Sequence, residues 1–331
     1  MALIELIFTL VGACVVLVYC ARLAHVLMML FLRVWYPLPE NFFTSMGRWA
    51  GEDPLPMWHS KFQVGVQYWS LLSIVITGAS DGIGKAYTQE LVRRGLNVVI
   101  ISRTKEKLDR LARDIEVKTG VKVITIVADF TKDDIYGVIK ENIQGLDVAI
   151  LVNNVGMLPT FIPCKLLEID HLEEKMYQVI NCNVKTAVKM CHIVLPGMVE
   201  RGRGIILTVS SGIAKIPCPI YTLYVATKIF LERFSQGLQA EYKSNGILFQ
   251  TVTPFGVSTA MMGNQKANFF TFTAEEFVRN SLMYLKAGEQ TYGSIRHAVL
   301  GWVVQAIPTW VLRSEAFHHI FQEFVKKQVD S

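Results

Sequence analysis

The stretch SIVITGASDGIG, Ser73 to Gly84, decides the fold. Its opening SIVIT is apolar and β-branched without polar alternation, the pattern of a strand covered on both faces. A glycine-rich turn follows, and the chain continues as the helical sequence GKAYTQELVRR through Arg94. At such a strand-to-helix turn, Gly78 permits the tight bend, Gly82 lets the backbone approach a phosphate, and Gly84 lets the helix pack closely. The helix N-terminus then faces a pyrophosphate. Thr77, Gly78, Ser80, Asp81, Gly82, Ile83 and Gly84 are therefore candidate cofactor-binding residues.

The same unit repeats downstream. NVVIIS (Asn97 to Ser102) reads as a second strand, TKEKLDRLARDIEVKTG as a solvated amphipathic helix, and VKVITIVAD as a third strand followed by a helix after Thr131. Further strands fall at DVAILVN from Asp147, GIILTVS (Gly204 to Ser210) and GILFQTV (Gly246 to Val252). Apolar strands separated by helices predict an α/β fold, a Rossmann-type doubly wound parallel sheet with helices on both faces.

Composition narrows the class. With 331 residues and 51% hydrophobic content, the chain is long and apolar enough to bury a sizeable core. Its net charge of +5, from 33 basic and 28 acidic residues, is mild and dispersed, which argues against a nucleic-acid partner. Cys14, Cys20, Cys164, Cys182, Cys191 and Cys218 form no C-x-x-C pair and no metal-ligand spacing with the histidines, so they read as free thiols and no metal is expected.

The N-terminus carries a separate message. LIFTLVGACVVLVY (Leu6 to Tyr19) is uncharged, and apolar character resumes from Leu23 to Leu32. This predicts an N-terminal membrane anchor, either spanning or lying in the interface. Glu5 in place of a basic leader, and the apolar sequence beyond Arg22, argue against a cleaved signal peptide. Arg22, Arg33 and Arg48 follow the apolar stretch, which places the remainder of the chain in the cytosol. The expected organisation is an anchor over 1–36, a linker over 37–72, a catalytic domain over 73–292, and a C-terminal helical extension over 293–331 that touches the membrane or a lid.

Cofactor choice is read at the end of the second strand. A carboxylate there would serve a ribose diol. This chain instead offers Ser102 and Arg103, and an arginine pairs with a 2′-phosphate, which favours NADP(H); the alternative is that Arg103 simply begins the solvated helix. Asp129 after the third strand either accepts from an adenine amino group or caps the next helix with Thr131. NNVG, Asn153 to Gly156, ends the fourth strand where a ligand crevice opens.

In TVSSGIAKIPCPIYTLYVATK (Thr208 to Lys228), Tyr224 and Lys228 are four apart, on one face of a helix. An ammonium beside a phenol favours phenolate and eases proton transfer near neutral pH. Ser211, following GIILTVS, is placed to hydrogen-bond an oxygen on which charge grows. Tyr221 has Val225 where its lysine would stand, so Tyr224 is the chemical tyrosine.

Together these residues resemble the short-chain dehydrogenase/reductase family, with its T-G-x-x-x-G-x-G turn (Thr77 to Gly84), N-N-x-G segment (Asn153 to Gly156), and a serine thirteen residues before Y-x-x-x-K (Ser211, Tyr224, Lys228). The resemblance implies a fourth catalytic residue at Asn183, holding a water in a proton relay through Lys228. It also implies cofactor contacts from Lys228, Pro254 and Thr259, a substrate wall from Met157 to Pro163 and Ile213 to Tyr221, and a lid over Phe255 to Phe272. The segments SMGRWA, RGLNVVIISRT, DFTKDDIY, ILVNNVGMLP, TPFGVSTAM and TAEEFV are similar to the family's membrane-bound steroid reductases and, less closely, to its microsomal very-long-chain ketoacyl-CoA reductases. That likeness implies NADPH-dependent reduction of a small apolar ketone, a 17-ketosteroid, at the endoplasmic reticulum membrane, with membrane lipid as a partner and room for a homodimer. A non-catalytic relative is the remaining reading.

Two features depart from the family pattern. Gly51 to Ile74 is inserted where relatives run from R-W-A directly into the first strand, although LLSI rebuilds that strand's start. Lys215 places a charge in a loop expected to be apolar: pointing inward it would disfavour a neutral steroid, at the mouth it would attract a CoA phosphate, and otherwise it snorkels out.

Overall fold

A computed structural model describes residues 72–329, together with 12, 13, 16–21, 23, 24, 27 and 42. Most of the expected anchor and linker, and the insert up to Leu71, lie outside the described residues. Among the described residues, no helix is long and apolar enough to cross a membrane.

The elements follow the expected alternation. They are β1 (Leu72–Thr77), α1 (Gly82–Val92), β2 (Asn97–Ser102), α2 (Lys105–Thr119), β3 (Val123–Val127), α3 (Tyr136–Ile143), β4 (Asp147–Asn153), α4 (Leu172–Ile180), α5 (Thr186–Glu200), β5 (Gly204–Val209), α6 (Thr222–Tyr242) and β6 (Ile247–Val252). Beyond them come β7 (Val257–Ser258), β8 (Phe272–Thr273), α7 (Ala274–Met283), β9 (Gln290–Thr291), α8 (Ile295–Gln305), α9 (Thr309–Leu312) and α10 (Glu315–Val329). Among the described residues, the main sheet has seven strands in the order β3-β2-β1-β4-β5-β6-β9, and its pairings are parallel. The direction of winding reverses between β1 and β4, so a crevice opens above their carboxyl ends.

Strand alternation builds two cores. Ile74, Ile76, Ile100, Val152 and Leu207 face one side, with Leu91, Leu108 and Phe277 from the helices. Val75, Val99, Leu151, Ile206 and Phe249 face the other, with Ile139, Met190 and Val194. Leu72 and Ile74, the last part of the insert, are buried within β1, so the strand's start is rebuilt as expected.

Local chemistry sets the boundaries. Asp81 caps α1, its carboxylate accepting from Gly82 N at 2.8 Å. Gly120 ends α2 in the left-handed conformation, φ 67°. The helix expected directly after Thr131 starts only at Tyr136, because Asp129 closes a local turn by accepting from Thr131 N and Oγ1 at 3.1 and 2.9 Å. The helical stretch around Asn183 is divided: a wide π turn, Asn181–Lys185, separates α4 from α5.

The C-terminal helices pack on the segment Phe255 to Phe272. His297 is fully buried, with Nε2 3.1 Å from Phe270 O and Nδ1 accepting from Phe255 N at 3.4 Å. Gln322 of α10 donates to Pro163 O at 2.7 Å, tying that helix to the loop after β4.

Candidate active site

A cleft of about 620 Å³ opens above the β1–β4 switch point. Gly78, Ser80, Asp81, Gly82, Ile83, Ser102, Arg103 and Asp129 line it, together with Ser211, Tyr224, Lys228, Pro254 and Thr259. The structure thus brings both expected groups into one crevice. Gly78 and Gly82 take left-handed φ values of 65° and 50°, and a Cβ on Gly82 would lie 2.8 Å from the Thr259 methyl. Bare backbone is therefore required where a diphosphate would approach, so the turn fits a dinucleotide.

Four expected site residues do not line the cleft. Thr77 ties the two central strands from below, its hydroxyl donating to Val152 O at 3.3 Å and accepting from Asn154 N and Val155 N at 3.0 and 3.1 Å. Gly84 is the packing glycine, since a Cβ there would sit 2.2 Å from Gly78 O. Asn153 is buried, with Nδ2 donating to Cys191 Sγ at 3.5 Å, and the crevice residue is instead Asn154. Successive residues at a strand end point to opposite sides, which is why one position changes the role. Asn154 donates from Nδ2 to Thr77 O and Gly78 O at 3.0 and 3.2 Å, fastening the phosphate turn to β4.

Asn183 is the fourth, and the π turn aims its side chain inward. Its amide nitrogen donates to Met157 O and Thr227 Oγ1, both at 3.0 Å, and its oxygen accepts from Met157 N at 2.7 Å. Between it and Lys228 lies Gly156, where a Cβ would stand 3.2 Å from Lys228 Nζ and 3.5 Å from Asn183 Oδ1. The absent side chain leaves both groups facing one small space.

Tyr224 and Lys228 sit one turn apart on α6, both buried, with Lys228 Nζ 5.6 Å from the tyrosine ring centre. Lys228 donates to Val209 O at 3.0 Å. Burial pushes the Lys228 ammonium down to about 8. Burial also pushes the Tyr224 phenol up to about 12, against the opposing effect of its hydrogen bond with Ser211. The expected fall of the phenol below its ordinary value is therefore corrected: desolvation dominates, and the group is held protonated, the state a proton donor needs. A charged Lys228 is the low-pH form and its neutral form the high-pH one, so a reaction needing the ammonium has an alkaline limb. Turnover that relies on the charged Lys228 should hold through pH 7 and decline as pH rises through about 8. A profile of initial rate at saturating substrate that stays flat from below to well above that value would contradict it.

The substrate end differs from expectation in one wall. Met157 to Phe161, Phe255, Met261 and Met262 line the cleft, but Ile162, Pro163 and Ile213 to Tyr221 do not. Cys218, Tyr221 and Ile213 pack behind Tyr224 with Phe321 of α10, because the C-terminal extension claims their apolar faces. Tyr221 donates its hydroxyl to Phe161 O at 3.2 Å. Lys215 points inward but not into the cleft: its ammonium meets the Glu232 carboxylate at 2.6 Å, with both side chains largely buried. Glu232 escaped the motif reading, although it stands four residues beyond Lys228 on the same helical face.

The comparisons agree with this geometry. A family model described as short chain dehydrogenase matches residues 73–268. The chain is 61% identical over 328 residues to 17-beta-hydroxysteroid dehydrogenase type 3 of Danio rerio, covering 99% of each chain. It is 38% identical over 285 residues to the very-long-chain 3-oxoacyl-CoA reductase of Homo sapiens, covering 85% of each. Among solved structures, a short-chain dehydrogenase from Sphingobium yanoikuyae in complex with NADPH superposes with TM-score 0.61 and 28% identity, over 67% of this chain and 87% of that one. With the sheet order, the phosphate turn and the Ser211, Tyr224 and Lys228 cluster already in place, these matches establish that the chain belongs to the short-chain dehydrogenase family of oxidoreductases.

Proposed function

We propose that this protein reduces a 17-ketosteroid, androstenedione to testosterone, at the endoplasmic reticulum membrane. The observation carrying this reading is the cluster of Ser211 with the buried Tyr224 and Lys228 facing an apolar-walled cleft, in a chain closely similar to a type 3 17-beta-hydroxysteroid dehydrogenase. NADP(H) is the cofactor, and when bound it supplies the hydride to the carbonyl carbon. Gly78 and Gly82 leave backbone room for its diphosphate, while Arg103, beside the Ser80 and Ser102 hydroxyls that lie 2.7 Å apart, meets the 2′-phosphate.

Tyr224 holds the proton that the substrate oxygen receives. Ser211 hydrogen-bonds that oxygen as negative charge develops, and Lys228 steadies the phenolate left behind. Asn183 fixes Met157 and Thr227, and its oxygen and Lys228 share the small space left by Gly156, a place for a relay water. Met157, Leu158 and Phe255 contribute apolar surface that accepts a flat lipid and excludes water.

The apolar N-terminus holds the catalytic domain against the membrane from the cytosolic side. Support comes from Tyr19, whose ring meets Trp302 of α8 edge-on at 5.9 Å, and from Trp310, Ile320 and Phe324, exposed on the C-terminal helices. The acyl-CoA reading loses the lysine at the mouth on which it leaned, since Lys215 is engaged by Glu232.

Microsomes expressing the full chain test the reading, with NADPH oxidation and product followed for androstenedione and a long-chain 3-ketoacyl-CoA side by side. Testosterone formation from the steroid supports it; turnover of the acyl-CoA alone, or of neither, overturns it. Replacing Arg103 with Ala removes a charge-assisted contact worth about 1.5–3 kcal/mol. NADPH affinity should therefore fall by roughly 10- to 150-fold, with NADH affinity nearly unchanged. Equal weakening of both cofactors in a binding titration would remove Arg103 from the phosphate site.

A further inference from the structure

Behind the reacting groups, the structure holds a buried ion pair that the mechanism above does not use. Lys215 ends the 3-10 turn Gly212–Lys215 that begins directly after Ser211. Its Nζ lies 2.6 Å from Glu232 Oε2, and the two side chains are only 16% and 10% exposed. The other carboxylate oxygen accepts from Ser210 Oγ at 3.1 Å, and Ser210 Oγ also lies 3.0 Å from Lys228 O. Glu232 therefore grips two points on either side of Ser211, the residue before it and the end of the turn after it.

The grip closes a frame. On the far side, Ser210 N donates to Val252 O at 2.8 Å and Gly212 N donates to Pro254 O at 2.7 Å. Lys228, one turn before Glu232 on α6, donates to Val209 O at 3.0 Å. The same helix that carries Tyr224 thus holds the strand end on both sides of the serine, through one ammonium and one carboxylate. A carboxylate that accepts a hydroxyl and an ammonium at once has both oxygens engaged, and its desolvation is compensated only while both partners remain. Removing Lys215 leaves a buried charge uncompensated, which the site relieves by moving the turn or admitting water.

We propose that the Lys215–Glu232 pair is a positioning device that fixes Ser211 against Tyr224. This rests on the reading of Ser211 and Tyr224 as the reacting pair. Neither member lines the cleft, so the pair acts on substrate only through the turn it holds. It also accounts for a charge in a loop otherwise built from apolar residues: Lys215 is matched by a carboxylate from α6.

The test uses the full chain in microsomes, with the ketone substrate established for the wild type. K215M and E232Q should each lower kcat by roughly 10- to 100-fold, the scale of a misplaced reacting group. KM for NADPH should stay within about twofold, because the phosphate turn lies on other elements. K215R, which keeps the charge, should recover most of the loss. The double variant K215M/E232L, which removes both charges, should be faster than K215M. Thermal unfolding on the same samples gives the folded fraction. Values of kcat within twofold of wild type, losses explained entirely by folded fraction, or failure of K215R to recover activity would each overturn the proposal. Y224F and S211A run in parallel separate this from failure of the underlying site: if they retain full turnover, the reading of the reacting pair fails, whatever Lys215 does.

Discussion

Replacing Tyr224 with Phe should lower ketone reduction by about a thousandfold, within the range of roughly 10²–10⁴ for a positioned general acid, with NADPH binding little altered. The substitution removes only the hydroxyl; the ring keeps its place among Cys218, Tyr221 and Val225. The second tyrosine does not replace it as donor: Tyr221 is committed to Phe161 O, and burial pushes the Tyr221 phenol well above its ordinary value. Cys182 and Cys218 are likewise pushed up by burial, to about 12 and about 11. Single-turnover kinetics with preformed enzyme and NADPH separates the chemical step from binding. Unchanged turnover would remove Tyr224 from the reaction.

Gly84→Ala should be severely damaging for a single added methyl. The added Cβ would meet Gly78 O at 2.2 Å and Asn154 Nδ2 at 2.5 Å, and the nearer obstacle is backbone of the phosphate turn itself. Overpacking of this kind costs about 3 kcal/mol, a fall in Tm of roughly 5–10 °C for a chain of this size. The larger effect falls on the cofactor, because the turn cannot keep its shape, and the rise in Tm produced by saturating NADPH should disappear. Gly137→Ala is the control, since nothing lies within 4 Å of its Cβ position. Retention of the NADPH-dependent shift in Gly84→Ala would show that the turn does not need the close helix packing assigned to it.

Much of this architecture is legible because it rests on short-range pattern. Apolar runs bounded by glycine gave strands at Leu72–Thr77, Asn97–Ser102 and Asp147–Asn153 within a residue or so of their bounds. The four-residue spacing of Tyr224 and Lys228 translates directly into one helical face. What the sequence conceals depends on long-range contact. Asn153 and Asn154 are the same residue type, and only the path of β4 decides that the second reaches the phosphate turn. The Ile213–Tyr221 segment reads as an apolar pocket wall, but Phe321, about a hundred residues later, covers it. Lys215 reads as an anomaly until α6 supplies Glu232. The phenol's upward shift reflects burial, a property of the packed fold that local spacing does not encode.

In the proposed reaction a hydride passes from NADPH to a ketone carbon while Tyr224 protonates the oxygen. The direct test is reduction of androstenedione with NADPH deuterated at both C4 positions of the nicotinamide, with the product analysed by mass spectrometry and NMR. The expected product is testosterone carrying one deuterium on the carbinol carbon, formed by the wild-type chain and nearly absent with Tyr224→Phe. Unlabelled product, label at any other carbon, or no product from the wild-type chain would contradict it.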